Sequence, residues 1–281
     1  MTHQTLFSTV SGPEDAPALL LLNSLGATHA MWDAQLPLLE SFYRVIRCDT
    51  RGHGQSPTPP SPYSFDEIVD DALAVLDTHG IETASVMGLS LGGMTALGMG
   101  LKAPERIDRL VCCAARSDAP QPFVQSWHDR LAKMEAGGIE AVWSGTVGFW
   151  LSEDSRRDFP DREAALRDGF LKTTEEGYRG CAHALMRLDY LRHLGEMQVP
   201  VLFVAGENDG GAVEFQTRPD DFARVDMGAV HRAEKQLPKR DHAVAGVEKE
   251  AGENLATVRL HSRNQIGAGV RGVLQWPVAL E

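Results

Sequence analysis

Gly88-Leu89-Ser90-Leu91-Gly92 sets a serine between two glycines, each two positions away. The apolar run Ala84–Met87 precedes it and a helical pattern begins at Leu91. A strand, a tight turn and a helix in that order strain the serine backbone and push its hydroxyl out of the C-terminal edge of a sheet. Side chains two positions to either side would collide across such a turn, which calls for glycine at 88 and 92. The N-terminus of the following helix favours developing negative charge. The chemistry these residues suit is nucleophilic attack by Ser90 on an acyl carbon.

A serine needs three further things for that chemistry: donors for the oxyanion, a base, and a carboxylate to hold the base. The backbone N–H of Leu91, next after the serine, is one donor. The second falls to Leu25, in the Asn23-Ser24-Leu25-Gly26 turn that follows the run Ala18–Leu22. Asp209 comes just after the late apolar run Val201–Ala205 and is the carboxylate of choice, with Glu207 second. The base lies among His231, His242 and His261. His231 is favoured, since it follows the short run Phe222–Val225 and precedes Pro238 by seven residues, as in a loop entering a helix. The stretch from Asp209 to His231 leaves little room for a helix and a strand.

The elements that must position these groups follow from periodicity. Ala18–Leu22, Tyr43–Cys48, Ala84–Met87, Leu110–Ala114 and Val201–Ala205 read as strands buried on both faces. Helical patterns cover Met31–Ser41, Phe65–His79 and Leu91–Lys102. Alternation of this kind predicts an α/β chain with a mostly parallel sheet. From Ser117 to about Val199 there are only amphipathic segments, such as Phe123–Ala136 and Arg162–Lys172. Residues 117–199 therefore read as a helical cap inserted into a core of residues 1–116 and 200–281. The insert carries Trp127, Trp143, Trp150 and Met134, which either glue the helices together or line an apolar pocket facing Ser90. After Gly211 the periodicity fades, and Arg259–Glu281 reads as neither helix nor strand.

The formal net charge of −12 argues against nucleic acid as a partner, because phosphate backbones would be repelled. An acidic small molecule would need a local cation. Cys48, Cys112, Cys113 and Cys181 read as reduced thiols without metal-ligand spacing, and no metal is expected. The start MTHQTLFSTV lacks the pattern of a signal peptide, and no apolar run is long enough to span a bilayer. A cytoplasmic location is the expectation, with no membrane partner; oligomeric state stays open.

GLSLGGM at Gly88–Met94, NSLG at Asn23–Gly26 with Met31-Trp32-Asp33, and Asp49–Ser56 resemble the 3-oxoadipate enol-lactonases. So do Thr174–Ala182 with Asp189, and the stretch Leu194–Asp209; the Gly177-Tyr178-Arg179-Gly180-Cys181 sequence is the most specific part. The resemblance implies the α/β-hydrolase fold with a helical cap, a Ser-His-Asp triad of Ser90, His231 and Asp209, and oxyanion donors Leu25 and Leu91. It implies opening of an enol-lactone ring to 3-oxoadipate in aromatic-compound degradation, without metal or organic cofactor. In that fold the Asp49–Ser56 loop, with His53, braces the site. The substrate carboxylate would need a cation, for which Arg116, Arg130 and Arg187 are candidates, with Trp127 beside them. The chain departs from the family in the shorter stretch between Asp209 and His231, and the closing helix beyond Pro238 is hard to see. Alternative readings are a general carboxylesterase or haloperoxidase-like hydrolase, or a non-catalytic ligand binder on the same fold.

Overall fold

The computed structural model describes residues 4–206 and 255–260. Among them seven strands form one sheet, in the order β1-β3-β2-β4-β5-β6-β7. The strands are β1 (Ser8–Ser11), β2 (Ala18–Leu22), β3 (Arg44–Cys48), β4 (Ala84–Leu89), β5 (Ile107–Cys113), β6 (Val201–Gly206) and β7 (Leu255–Leu260). All pairings are parallel except β1 with β3. The α/β expectation holds, and the five apolar runs fall within or across five of these strands. Strand alternation sends side chains to both faces. Leu20, Ile46, Val86, Leu110 and Phe203 face one layer, with Val69, Leu76 and Leu97 packed on them. Leu19, Leu21, Val45, Met87, Val111 and Leu202 face the other, under Trp32 and Leu39.

Helix α2 (Phe65–Thr78) begins at a capping box: the Ser64 hydroxyl accepts from the Glu67 N–H and the Glu67 carboxylate accepts from the Ser64 N–H. Helix α3 (Leu91–Lys102) starts directly after β4, as the periodicity predicts. Met31–Ser41 is not one helix. It divides into a 3-10 turn at His29–Trp32 and a single turn, α1 (Leu36–Leu39), which opens at Pro37. Proline lacks an N–H and is tolerated only in the first turn of a helix, so a new turn opens here instead of the longer helix continuing.

Between β5 and β6 lie only helices: α4 (Gln121–Trp150), α5 (Glu153–Asp158), α6 (Pro160–Phe170), α7 (Glu175–Leu185) and a closing 3-10 turn, Leu191–Glu196. Helix α4 is two pieces joined at a kink, where Gly137 and Gly138 leave helical geometry and Gly138 has φ of 72°. A left-handed backbone there suits glycine.

β2 connects outward to β3 on one side of the sheet, whereas β4 connects to β5 on the other. The carboxyl ends of β2 and β4 are adjacent, with Leu22 opposite Gly88. Connections diverge at that point and open a crevice, the customary place for a ligand in a parallel sheet. Ser90 follows β4 at this crevice.

Candidate active site

Ser90 has φ 54° and ψ −114°, a conformation that a residue with a Cβ adopts only when its surroundings impose it. Its N–H donates to the Cys113 carbonyl (2.8 Å), and its own carbonyl accepts from the Met94 N–H (3.0 Å). A Cβ on Gly88 would overlap the Gly92 backbone, and one on Gly92 would overlap the Leu22 carbonyl. The glycines at 88 and 92 are therefore required by close backbone approach across the turn. Ser90 is half-buried, at the N-terminus of α3.

The loop after β2 is fixed from several directions. The Asn23 Nδ2 donates to the Cys48 carbonyl (2.6 Å), and its Oδ1 accepts from the Trp32 Nε1 (3.1 Å). The Gly26 N–H donates to His53 Nε2 (2.9 Å), and the ring's other nitrogen lies 3.0 Å from the Arg51 carbonyl. A ring nitrogen that accepts is unprotonated, so the proton sits on Nδ1 and is donated to Arg51. Burial lowers the His53 pKa and keeps the ring neutral. His53 thus positions the loop that carries Leu25. Leu25 and Leu91 are both buried, and neither backbone N–H donates to a described residue.

The next loop binds the inserted helices to the core. Asp49 Oδ1 accepts from the His29 N–H and lies 2.8 Å from its Nδ1, while Oδ2 accepts from the Gln55 N–H (2.9 Å). Arg51 is buried, donates from Nε to Asp71 (2.7 Å) and lies over the Tyr63 ring. The Gly52 carbonyl accepts from the Thr174 N–H (2.9 Å), the Gly54 N–H donates to the Lys172 carbonyl (3.1 Å), and the Tyr63 N–H donates to the Gly180 carbonyl (3.3 Å). Gly52 and Gly177 meet backbone to backbone, with no room for a Cβ on either. The Gly-Tyr-Arg-Gly-Cys sequence is thereby explained: its two glycines are where α7 approaches the core too closely for a Cβ, Gly177 against Gly52 and Gly180 against the Tyr63 ring. The pairing joins residues far apart in sequence, and neither periodicity nor motif spacing could have found it.

A run of aromatic rings crosses the inserted helices. Phe123 and Trp127 lie 5.9 Å apart by ring centroid, Trp127 and Tyr178 6.1 Å, Tyr178 and Phe170 6.0 Å, and Phe170 and Trp143 5.3 Å. Arg116 lies over Phe123 (4.3 Å) and pairs with Asp118 (3.4 Å). Arg130 lies over both Trp127 (4.7 Å) and Phe149 (5.0 Å). Arg187 is exposed, two residues past α7, and its charge helps lower the pKa of His183, where burial is the larger cause. Three of the four residues considered for substrate contact, Arg116, Trp127 and Arg130, therefore lie on one run of packed rings, and Arg187 stacks on none of them.

Asp209, Glu207, His231, His242 and His261 lie outside the described residues. The strand leading to Asp209, β6, pairs in parallel with β5, Cys113 opposite Val204. Its carboxyl end is thus on the same sheet edge as Ser90. Among the described residues no group of three His, Cys, Asp or Glu side chains is placed to hold a metal ion, and no helix is long and apolar enough to cross a membrane.

Residues 17–221 match the family model for the alpha/beta hydrolase fold, and the chain belongs to that family. Within it, the chain is 34% identical to 3-oxoadipate enol-lactonase 1 of Acinetobacter baylyi over 208 residues, covering 73% of this chain and 76% of the relative. It is also 32% identical to a protein of Variovorax paradoxus named "Putative carbamate hydrolase RutD", over 71% of this chain and 77% of that one. The solved structure of the enol-lactonase from Burkholderia xenovorans LB400 superposes with a TM-score of 0.80 at 25% identity, covering 97% of this chain and 96% of the other.

Proposed function

We propose that the protein is a serine hydrolase that opens a lactone or ester, with 3-oxoadipate enol-lactone as its substrate and 3-oxoadipate as its product, in the degradation of aromatic compounds. The observation that carries this reading is the strained Ser90 at the carboxyl ends of β2 and β4; the Leu25 and Leu91 N–H groups, which this reading assigns as oxyanion donors, donate to no described residue. In this reading residues 117–199 cap a core made of residues 1–116 and 200–281. The partner is a small molecule rather than nucleic acid or membrane, and the setting is the cytoplasm.

His231 takes the Ser90 proton as Oγ attacks the lactone carbonyl carbon, with Asp209 orienting the imidazole. The Leu25 and Leu91 N–H groups hold the oxyanion, each contributing about 2.7–4 kcal/mol to the barrier reduction. Collapse breaks the ring C–O bond, and His231 returns the proton to the departing enol oxygen, which ketonises. Water, deprotonated by His231, then attacks the acyl-enzyme and releases the acid. The Ser90–acyl bond breaks as His231 passes the proton taken from water to Ser90 Oγ, which restores the starting state, and the chemistry needs no metal or organic cofactor.

Carbamate hydrolysis is the second reading, favoured by the likeness to the Variovorax relative. Covalent labelling by a fluorophosphonate, abolished in Ser90→Ala, tests the nucleophile. Enol-lactone, carbamate and 4-nitrophenyl ester turnover, measured for the parent and for His231→Ala, His242→Ala and His261→Ala, tests the rest. The proposal expects labelling at Ser90, the highest kcat/KM on the enol-lactone, and loss of turnover by several powers of ten in His231→Ala alone. A folded protein that resists labelling would instead be a binder built on a hydrolase fold.

A further inference from the structure

The loops after β2 and β5 flank Ser90 on either side, since β4 lies between those two strands. The run of packed rings joins them. It leaves the end of β5 at Arg116, runs through Phe123, Trp127, Tyr178 and Phe170, and returns to the core at Gly26, where Phe170 ring atoms lie 2.5 Å from where a Cβ would be. The arc therefore starts and ends at the two walls of the crevice that holds Ser90.

Arg130 is the cation on this arc that forms no ion pair with a described carboxylate, whereas Arg116 is paired with Asp118. In a chain of net charge −12, a half-buried guanidinium without such a partner is notable. Its Cζ lies 4.7 Å from the Trp127 ring centroid and 5.0 Å from that of Phe149, within cation–π range, which leaves its N–H groups to serve as hydrogen-bond donors. Beside it are two neutral donors. The Trp127 Nε1 is buried and has no hydrogen-bond acceptor among the described residues; the Tyr178 hydroxyl is also buried, with Arg130 as its charged neighbour. Buried donors in native proteins are normally satisfied, so an indole N–H left without an acceptor points to a group that arrives from outside. A guanidinium, an indole and a phenol together offer donors, and a carboxylate is the complementary acceptor.

We propose that Arg130, with the Trp127 Nε1 and the Tyr178 hydroxyl, receives a carboxylate at the far end of the substrate, so that the enzyme selects acyl compounds carrying a second, anionic end. This rests on the reading of Ser90 as the nucleophile and assigns the cation that the reading left open among three arginines.

The test uses two esters of similar length, mono-4-nitrophenyl glutarate, which is anionic, and 4-nitrophenyl pentanoate, which is neutral. The ratio of their kcat/KM values is compared in the parent, Arg130→Met, Arg130→Lys and Tyr178→Phe. The expected result is a fall in the anionic-to-neutral ratio of about 10- to 100-fold in Arg130→Met, the size of a charge-assisted hydrogen bond, carried mainly by KM. Arg130→Lys recovers part of it, and Tyr178→Phe shows a smaller fall. An unchanged ratio in Arg130→Met overturns the proposal. Glutarate binding, followed by calorimetry on Ser90→Ala and on Ser90→Ala with Arg130→Met, requires no turnover. Weakening by a similar factor supports the carboxylate site even if Ser90 resists fluorophosphonate, and equal binding by the two overturns it even if Ser90 reacts.

Discussion

Ser90→Gly is expected to be more stable than Ser90→Ala, although both lack the hydroxyl. The φ of 54° and ψ of −114° place a Cβ in a sparsely populated region, which costs about 1–3 kcal/mol. Alanine keeps that Cβ and the strain. Glycine removes it, at the expense of a more flexible unfolded chain, about 0.4–1 kcal/mol. Central values leave a net advantage of about 1.3 kcal/mol for glycine. In a chain of 281 residues that corresponds to a melting temperature about 2 °C higher. The Ser90 hydroxyl engages no described residue, so its loss should affect the two variants alike. Differential scanning calorimetry on the two purified variants, with urea midpoints as a second measure, gives the comparison directly. A Ser90→Gly protein less stable than Ser90→Ala would refute the strained-turn argument, because the only remaining difference would be chain entropy.

Two further outcomes follow from the packing. Gly177→Ala sets a Cβ 2.5 Å from the Gly52 Cα and should destabilise by at least ~1–3 kcal/mol, seen as a lower urea midpoint. Gly145→Ala, on α4 with open space around it, should instead gain about 0.5–1 kcal/mol from helix propensity, and a loss there would count against the assigned environment. The buried His53 is held neutral with its pKa lowered from 6.5, while the unfolded ring takes up a proton as pH falls through that value. The unfolded state then binds more protons. The contribution of His53 is therefore intact above about pH 6.5 and is lost below it, by up to about 1.4 kcal/mol per pH unit. His53→Gln should show a shallower acid limb in urea-midpoint against pH, and identical slopes would exclude His53 as the group responsible.

Much of the parallel sheet was legible because strands buried on both faces are written as short unbroken apolar runs, as in Ala18–Leu22 and Val201–Gly206. β1 escaped for the opposite reason: Ser-Thr-Val-Ser is a polar edge strand that pairs antiparallel with β3, and its sequence carries no core signal. β5 begins at Ile107 rather than Leu110, because Asp108 and Arg109 interrupt the apolar run while their backbone still belongs to the strand. β7 lies in the part of the chain where periodicity fades, and its backbone pairing with β6 supplies what the pattern did not. At the site, the serine turn was readable since its glycines are local to it. The His53 bond to Gly26 and the meeting of Gly52 with Gly177 were not, because each joins residues whose proximity only the folded chain creates.

The close contact of Gly52 with Gly177 brings α7 against the Asp49–Ser56 loop with no room for a Cβ, while α4, which carries Trp127 and Arg130, is joined to its own second half through the bend at Gly137–Gly138. The two helices therefore offer unequal freedom to change. In the first half of α4 only side chains are at stake, so exchanges there leave the backbone path intact. Residues of α7 that abut Gly52 tolerate no such rewriting without prising the helix off the loop beneath it.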